Sequence, residues 1–307
     1  MNEFQAFDDH PYCYEAWEIS PYYKNNMYLL DDNAQITLIS DGSRSGFEIK
    51  KSYMESSIVQ RIWLNSDSKR VDFDNEIDWH QKQQLLKIAF PLDIHTEKAT
   101  YEIQYGHVER PTHANTSWDA AKYEVCSHKW ADLSEKGYGI SLLNDCKYGH
   151  STEGSTIKLT VLKCASYPYE KADEGIHIFS YALLPHRGDL YDAGVIQESY
   201  SFNQPLQTIP VSKHNGQLPD TFSLVSCDAE NIIIDAVKKA EDTEDMIVRL
   251  YEAWNSRGTV TLTVPKRFRK AILCNLMEEE ITELNLVDGK VTLPVKNFEI
   301  VTIRFVR

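Results

Sequence analysis

The residues best equipped for chemistry in this chain crowd into positions 106–150. They read Gly106-His107-Val108-Glu109-Arg110-Pro111-Thr112-His113, Asn115-Thr116-Ser117-Trp118-Asp119, His128-Lys129-Trp130-Ala131-Asp132-Leu133 and Asn144-Asp145-Cys146-Lys147-Tyr148-Gly149-His150. Carboxamide, carboxylate and guanidinium groups match the vicinal hydroxyls of a sugar, and aromatic faces take the C–H side of its ring. The composition therefore fits a carbohydrate surface. A plainer reading stands beside it, in which Trp118, Trp130 and Tyr148 are core aromatics and the charges are turn or cap residues. Composition alone leaves both open.

Metal chemistry is disfavoured by spacing. His107, His113, His128 and His150 form no H-x-x-x-H or H-E-x-x-H pair, and the six cysteines never occur as C-x-x-C. The thiols are expected to be free. Lys and Arg total 32 against 46 Asp and Glu, a net charge of -14. That balance argues against nucleic acid, whose binding depends on basic side chains displacing condensed counterions. The first residues show neither a basic region nor an apolar one of signal-peptide type, and no apolar run reaches the ~18 residues a membrane-spanning helix needs. A soluble, cytoplasmic protein with no membrane partner is the expectation, and the sequon at Asn115-Thr116-Ser117 would then go unused.

The elements that must hold these residues are strands. Apolar residues recur at every second position in 71–79, as expected where successive side chains point to opposite faces. The segments 85–92, 101–105, 138–143, 156–162, 177–184 and 298–305 read the same way, with turns at Asp41-Gly42-Ser43 and Asp288-Gly289. Strands with one wet face suit antiparallel sandwiches. The segment 228–254 fits either an amphipathic helix or two strands joined at Glu241-Asp242-Thr243-Glu244-Asp245; its β-branched Ile232-Ile233-Ile234 favours strands. The polar stretch 213–220, with Gly216 and Pro219, marks a linker. The predicted organisation is all-β, with a large domain over 1–212, a linker over 213–222 and a smaller β-sandwich over 223–307.

The run from Tyr101 through Tyr148, with Tyr181-Ala182-Leu183-Leu184-Pro185-His186-Arg187-Gly188-Asp189, resembles the C-terminal half of family 38 glycoside hydrolases, the retaining α-mannosidases. Glu109-Arg110-Pro111-Thr112-His113 and Asn144-Asp145-Cys146-Lys147-Tyr148-Gly149 carry the specificity, and the similarity runs from about Ala16-Trp17 to the end of the chain. The resemblance implies a mutarotase-like antiparallel β-sandwich followed by a smaller one. In the family, zinc, an aspartate nucleophile and an acid/base carboxylate belong to an N-terminal catalytic domain. No segment here matches those motifs. Residues 1–9 read as the point where a longer chain was cut, so no catalytic residue or cofactor is assigned here and zinc is expected in the catalytic domain.

The resemblance further implies that loops of this half help to wall the sugar site. The substrate-facing candidates are His107, Arg110, Thr112, His113, Asp119, Asn144, Asp145, Lys147 and Tyr148. Each has two roles open to it, touching an α-mannoside oligosaccharide or packing against the catalytic domain of the same parent chain. A homo-oligomer is left open. Two other functions are kept in view: a sugar epimerase in which His107 or His186 works with Glu198, and a carbohydrate-binding module without catalysis.

Overall fold

The computed structural model describes every residue except Asn33 and Leu218. The chain divides into two compact units, Met1–Ile103 with Val108–Leu206, and Gln104–His107 with Gln207–Arg307. The short segment around His107 therefore clusters with the second unit. The stretch expected as a linker is irregular where it is described, and Leu218 lies outside the described residues.

The first unit is a sandwich of a six-stranded and a nine-stranded sheet. The six-stranded sheet runs in the order Val125–Cys126, Gly149–Glu153, Thr156–Lys163, Gln84–Pro91, Glu3–Asp8, Met27–Leu29. The nine-stranded sheet begins with the meander Gln35–Ser40, Arg44–Tyr53, Ser56–Asn65 and Val71–Trp79. It continues through Gly175–Arg187, Tyr138–Asn144, Trp130–Glu135, Lys98–Ile103 and Gly106–Pro111. Neighbouring strands are antiparallel, as in the Val71–Trp79 pairing with Gly175–Arg187. Alternation explains the core: Phe73, Ile77, Phe179 and Tyr181 on one sheet meet Leu86, Ile88, Phe90 and Leu159 on the other. Asn75 takes a core position in the same alternation and is satisfied there by Gln60, whose Nε2 donates to Asn75 Oδ1 at 2.7 Å and to Tyr181 at 2.7 Å.

The second unit pairs a four-stranded with a five-stranded sheet around Val248, Leu250, Val260, Leu262, Leu293 and Ile303. The ambiguous segment resolves as strands Ile232–Lys239 and Met246–Glu252, with the acidic cluster in the turn between them. Buried Glu252 holds two loops of this unit. Its carboxylate accepts from the Trp254 N–H at 2.8 Å, Asn231 Nδ2 at 3.0 Å, Ser256 Oγ at 2.9 Å and the Phe298 N–H at 3.0 Å. Burial alone would raise its pKa, but these donors together leave it lowered. Glu252→Ala strips two backbone N–H groups of their acceptor, so a loss of about 2 kcal/mol is expected in this unit. Urea unfolding followed at Trp254 checks it, and unchanged midpoints would contradict the assignment.

The reading of many strands and few helices holds. The α-helices are Ser117–Ala120 and Val195–Asn203, with a 3-10 turn at Pro21–Asn25, among the described residues. No helix among them is long and apolar enough to cross a membrane.

Candidate functional site

The candidate residues divide by what their polar atoms already do. Thr112 is buried, and its hydroxyl donates to the Thr96 carbonyl at 2.8 Å. Asn144 is also buried: its Nδ2 donates to the His128 carbonyl at 2.6 Å, and its Oδ1 accepts the Lys147 N–H at 2.8 Å. Asp145 accepts the Ser180 N–H at 2.9 Å. These three side chains fasten loops to strands, which is turn and cap chemistry. Asp119 belongs to the short helix Ser117–Ala120, where it accepts from the capping Thr116 hydroxyl at 2.8 Å. Its carboxylate lies 3.7 Å from His113 Nδ1.

Other candidates keep more freedom. Arg110 places its guanidinium 4.8 Å from the centre of the Tyr101 ring, and its Nη1 is buried with no hydrogen-bond partner among the described residues. Burial lowers its pKa, against the opposing pull of Tyr101 and Cys126. A cavity of about 200 Å³ is lined by Glu97, Lys98, Glu109, Arg110, Pro111 and His113. Tyr148 is half exposed, with its ring 5.3 Å from that of His128, and Lys147 lies 5.1 Å over Phe179. The Cys146 thiol, next to Lys147 in the chain, is pushed up to about 11, by burial first and then by Asp145. His107 meets Phe298 edge-on at 5.0 Å within the second unit and is not among the residues lining the cavity that brings Arg110 and His113 together.

Of the histidine–carboxylate pairs weighed for epimerase chemistry, the structure supplies different partners. His186 Nε2 is bonded to Asp132 Oδ2 at 2.9 Å, whereas Glu198 pairs with Arg70 at 3.3 Å. The His186–Asp132 contact spans 54 residues, so only strand register could have disclosed it. No three His, Cys, Asp or Glu side chains among the described residues are grouped to hold a metal ion. The described residues therefore do not fit a zinc centre.

Comparison with known proteins gives this geometry a family setting. The description "Glycosyl hydrolases family 38 C-terminal domain" matches residues 1–171, and "Glycosyl hydrolases family 38 C-terminal beta sandwich domain" matches residues 231–303. Alpha-mannosidase 2C1 of Homo sapiens is 37% identical over 314 residues, covering 99% of this chain and 30% of its own length. Alpha-mannosidase G of Dictyostelium discoideum is 42% identical over 256 residues, covering 81% of this chain and 23% of its own. The chain thus spans about a third or less of the curated relatives it matches. The crystal structure of an alpha-mannosidase from Enterococcus faecalis V583 superposes with a TM-score of 0.80 at 18% identity, over 99% of this chain and 38% of that one. At that identity the likeness speaks for the fold.

Proposed function

The chain belongs to family 38 of the glycosyl hydrolases, as its C-terminal domains, and we propose that it forms the non-catalytic β portion of an α-mannosidase acting on terminal α-mannosides. The observation that carries this is that its relatives are α-mannosidases of which it aligns with only about a third or less. The zinc ion and both reacting carboxylates then belong to a catalytic domain of the same parent chain, in a cytoplasmic enzyme. We place the functional boundary in the polar stretch, with a large sandwich over 1–212, a linker over 213–222 and a small sandwich over 223–307, whereas compactness alone divides the chain after Leu206.

Within the first unit, Arg110, His113, Lys147 and Tyr148 are the residues that contribute to the wall of the sugar site, and Arg110 is foremost among them. Its unmatched Nη1 sits beside a cavity, and a guanidinium donates in a fork that fits a hydroxyl pair or a carboxylate. Thr112, Asn144, Asp145 and Asp119 support that wall by fixing the loops.

The activity test separates the two parts. The 307-residue chain is expected to leave an aryl α-mannoside unhydrolysed with or without added zinc, whereas a parent chain that includes the catalytic domain turns it over. Hydrolysis by the 307-residue chain alone would refute the division.

A further inference from the structure

A polar cavity of about 460 Å³ opens on the outer face of the nine-stranded sheet. Its position follows from register. Tyr101, Ala131, Leu133 and Leu142 point into the sandwich core, so Thr100, Asp132, Ser134 and Ser141, which alternate with them, point away from it. Thr100 and Asp132 are cross-strand partners, as are Asp132 and Ser141. The loop bearing Asp189 and Tyr191 forms another wall, and Lys98 and Glu109 pair at 2.7 Å along the rim.

The floor is built rather than incidental. Asp132 is 2% exposed, and its carboxylate is fixed by three donors: Ser134 Oγ at 2.5 Å on Oδ1, with Ser141 Oγ at 2.7 Å and His186 Nε2 at 2.9 Å on Oδ2. His186 reaches Asp132 past Gly139, where a Cβ would stand 2.3 Å from Ser134 Oγ and 2.4 Å from the His186 ring. No larger residue fits there without displacing the network. A carboxylate offers about four acceptor positions, so one on Oδ1 is left for a group entering the cavity.

We infer that this cavity is a binding site for an uncharged, hydroxyl-rich ring, a saccharide unit. Four carboxylates, Glu97, Glu109, Asp132 and Asp189, face one ammonium, Lys98, so phosphates and carboxylates are repelled. The Thr100 hydroxyl and the Lys98 ammonium supply donors beside those acceptors, the Ser134 and Thr96 hydroxyls, which already donate to Asp132 and to the Lys98 carbonyl, add acceptors, and Leu190 gives an apolar wall. A ligand that both donates and accepts at several points, with a C–H face, satisfies this lining; a simple amine would leave the donors unmatched. The volume lies in the ~300–1,000 Å³ range of small-molecule sites. The cavity shares Glu97, Lys98 and Glu109 with the one beside Arg110, but its floor of Thr100, Asp132 and Ser134 is its own, and the inference rests on neither Arg110 nor the loop 144–150.

The test is a titration of the 15N-labelled 307-residue chain with methyl α-D-mannopyranoside, read by amide chemical shifts. Saturable shifts are expected at Thr100, Asp132, Ser134 and Tyr191, with a dissociation constant on the order of millimolar. Thr100→Trp should fill the cavity and abolish them, and Ser134→Val should weaken them about tenfold with the thermal midpoint within a few degrees of the parent. Two variants guard against one that fails to fold. No saturable shift at these amides at any soluble sugar concentration would overturn the site, as would shifts that persist in both folded variants. Shifts confined to Asn144, Lys147 and Tyr148 would overturn it while leaving the proposed function standing.

Discussion

Lys87→Ala is expected to lower the stability of the first unit by about 3–5 kcal/mol, the range for breaking a buried ion pair from one side. Lys87 is 0% exposed in the middle of the apolar strand Gln84–Pro91. Its ammonium pairs with Glu124, donates to Ser151 Oγ at 3.0 Å and lies 5.2 Å from the centre of the Tyr23 ring. Burial pulls its pKa below the ordinary lysine value, against the attraction of Glu124. Removing the ammonium leaves the Glu124 carboxylate, whose side chain is 15% exposed, with the Thr160 hydroxyl as its donor. In a unit of this size the loss corresponds to a fall of roughly 10 °C in Tm. The double variant Lys87→Met/Glu124→Leu removes both charges and should recover most of that loss, because an apolar pair avoids the desolvation of two ions. Calorimetry of the single and double variants decides it. Additive losses in the double variant would mean that the pair does not act as a unit.

Lys87 also shows where sequence reading stops. Alternation made the strand segments legible: 71–79 was expected and Val71–Trp79 is observed, and 138–143 corresponds to Tyr138–Asn144. The same rule puts every second residue on a wet face. In Gln84–Pro91 that face carries Leu85, Lys87 and Ala89, and all three are buried because Tyr23, Ile19 and Tyr123 cover it. Covering by Ile19 and Tyr23, more than 60 residues away, and by Tyr123, more than 30 away, leaves no mark in local periodicity. The helix Val195–Asn203 escaped for a related reason, since it is short and its buried residues are only Val195, Ile196 and Ser199.

The candidate site was legible as a region but not as a set of contacts. Motifs at 109–113 and 144–149 single out two loop-bearing stretches, yet residue type cannot say whether an amide faces a ligand or its own backbone. Asn144 does the latter on both its oxygen and its nitrogen. Conversely, Asp132 and His186 became partners only when strands Trp130–Glu135, Tyr138–Asn144 and Gly175–Arg187 were laid side by side. Asp132 sits in the run 128–133, where nothing adjacent in sequence signals that it is held by a histidine 54 residues away.

Stability of the first unit is expected to fall by about 3 kcal/mol as pH drops from 6.5 to 4, through His150. This histidine is 0% exposed on the strand Gly149–Glu153. Its Nδ1 lies 3.3 Å from the Tyr148 carbonyl and donates to it in the neutral tautomer, leaving Nε2 buried with no hydrogen-bond partner among the described residues. Burial lowers its pKa to about 4, helped by the positive charges of Lys87 and Arg110 and opposed by the Tyr148 carbonyl. The sign follows from proton binding. Between the unfolded value of about 6.5 and the folded value of about 4, the unfolded chain holds the proton more tightly, so acidification favours unfolding. The full advantage is present above pH 6.5, shrinks across that interval and is gone below pH 4. Carboxylates with lowered values, such as Glu153, act on the same side but only below about pH 4.5, so the upper part of the window reports the histidine. Urea midpoints read by tryptophan fluorescence suit the measurement, because Trp17, Trp63, Trp79, Trp118 and Trp130 all belong to the first unit. His150→Phe should flatten the profile between pH 6.5 and 4.5 whatever it costs at neutral pH. Parallel profiles for the parent and the variant would place the acid sensitivity elsewhere.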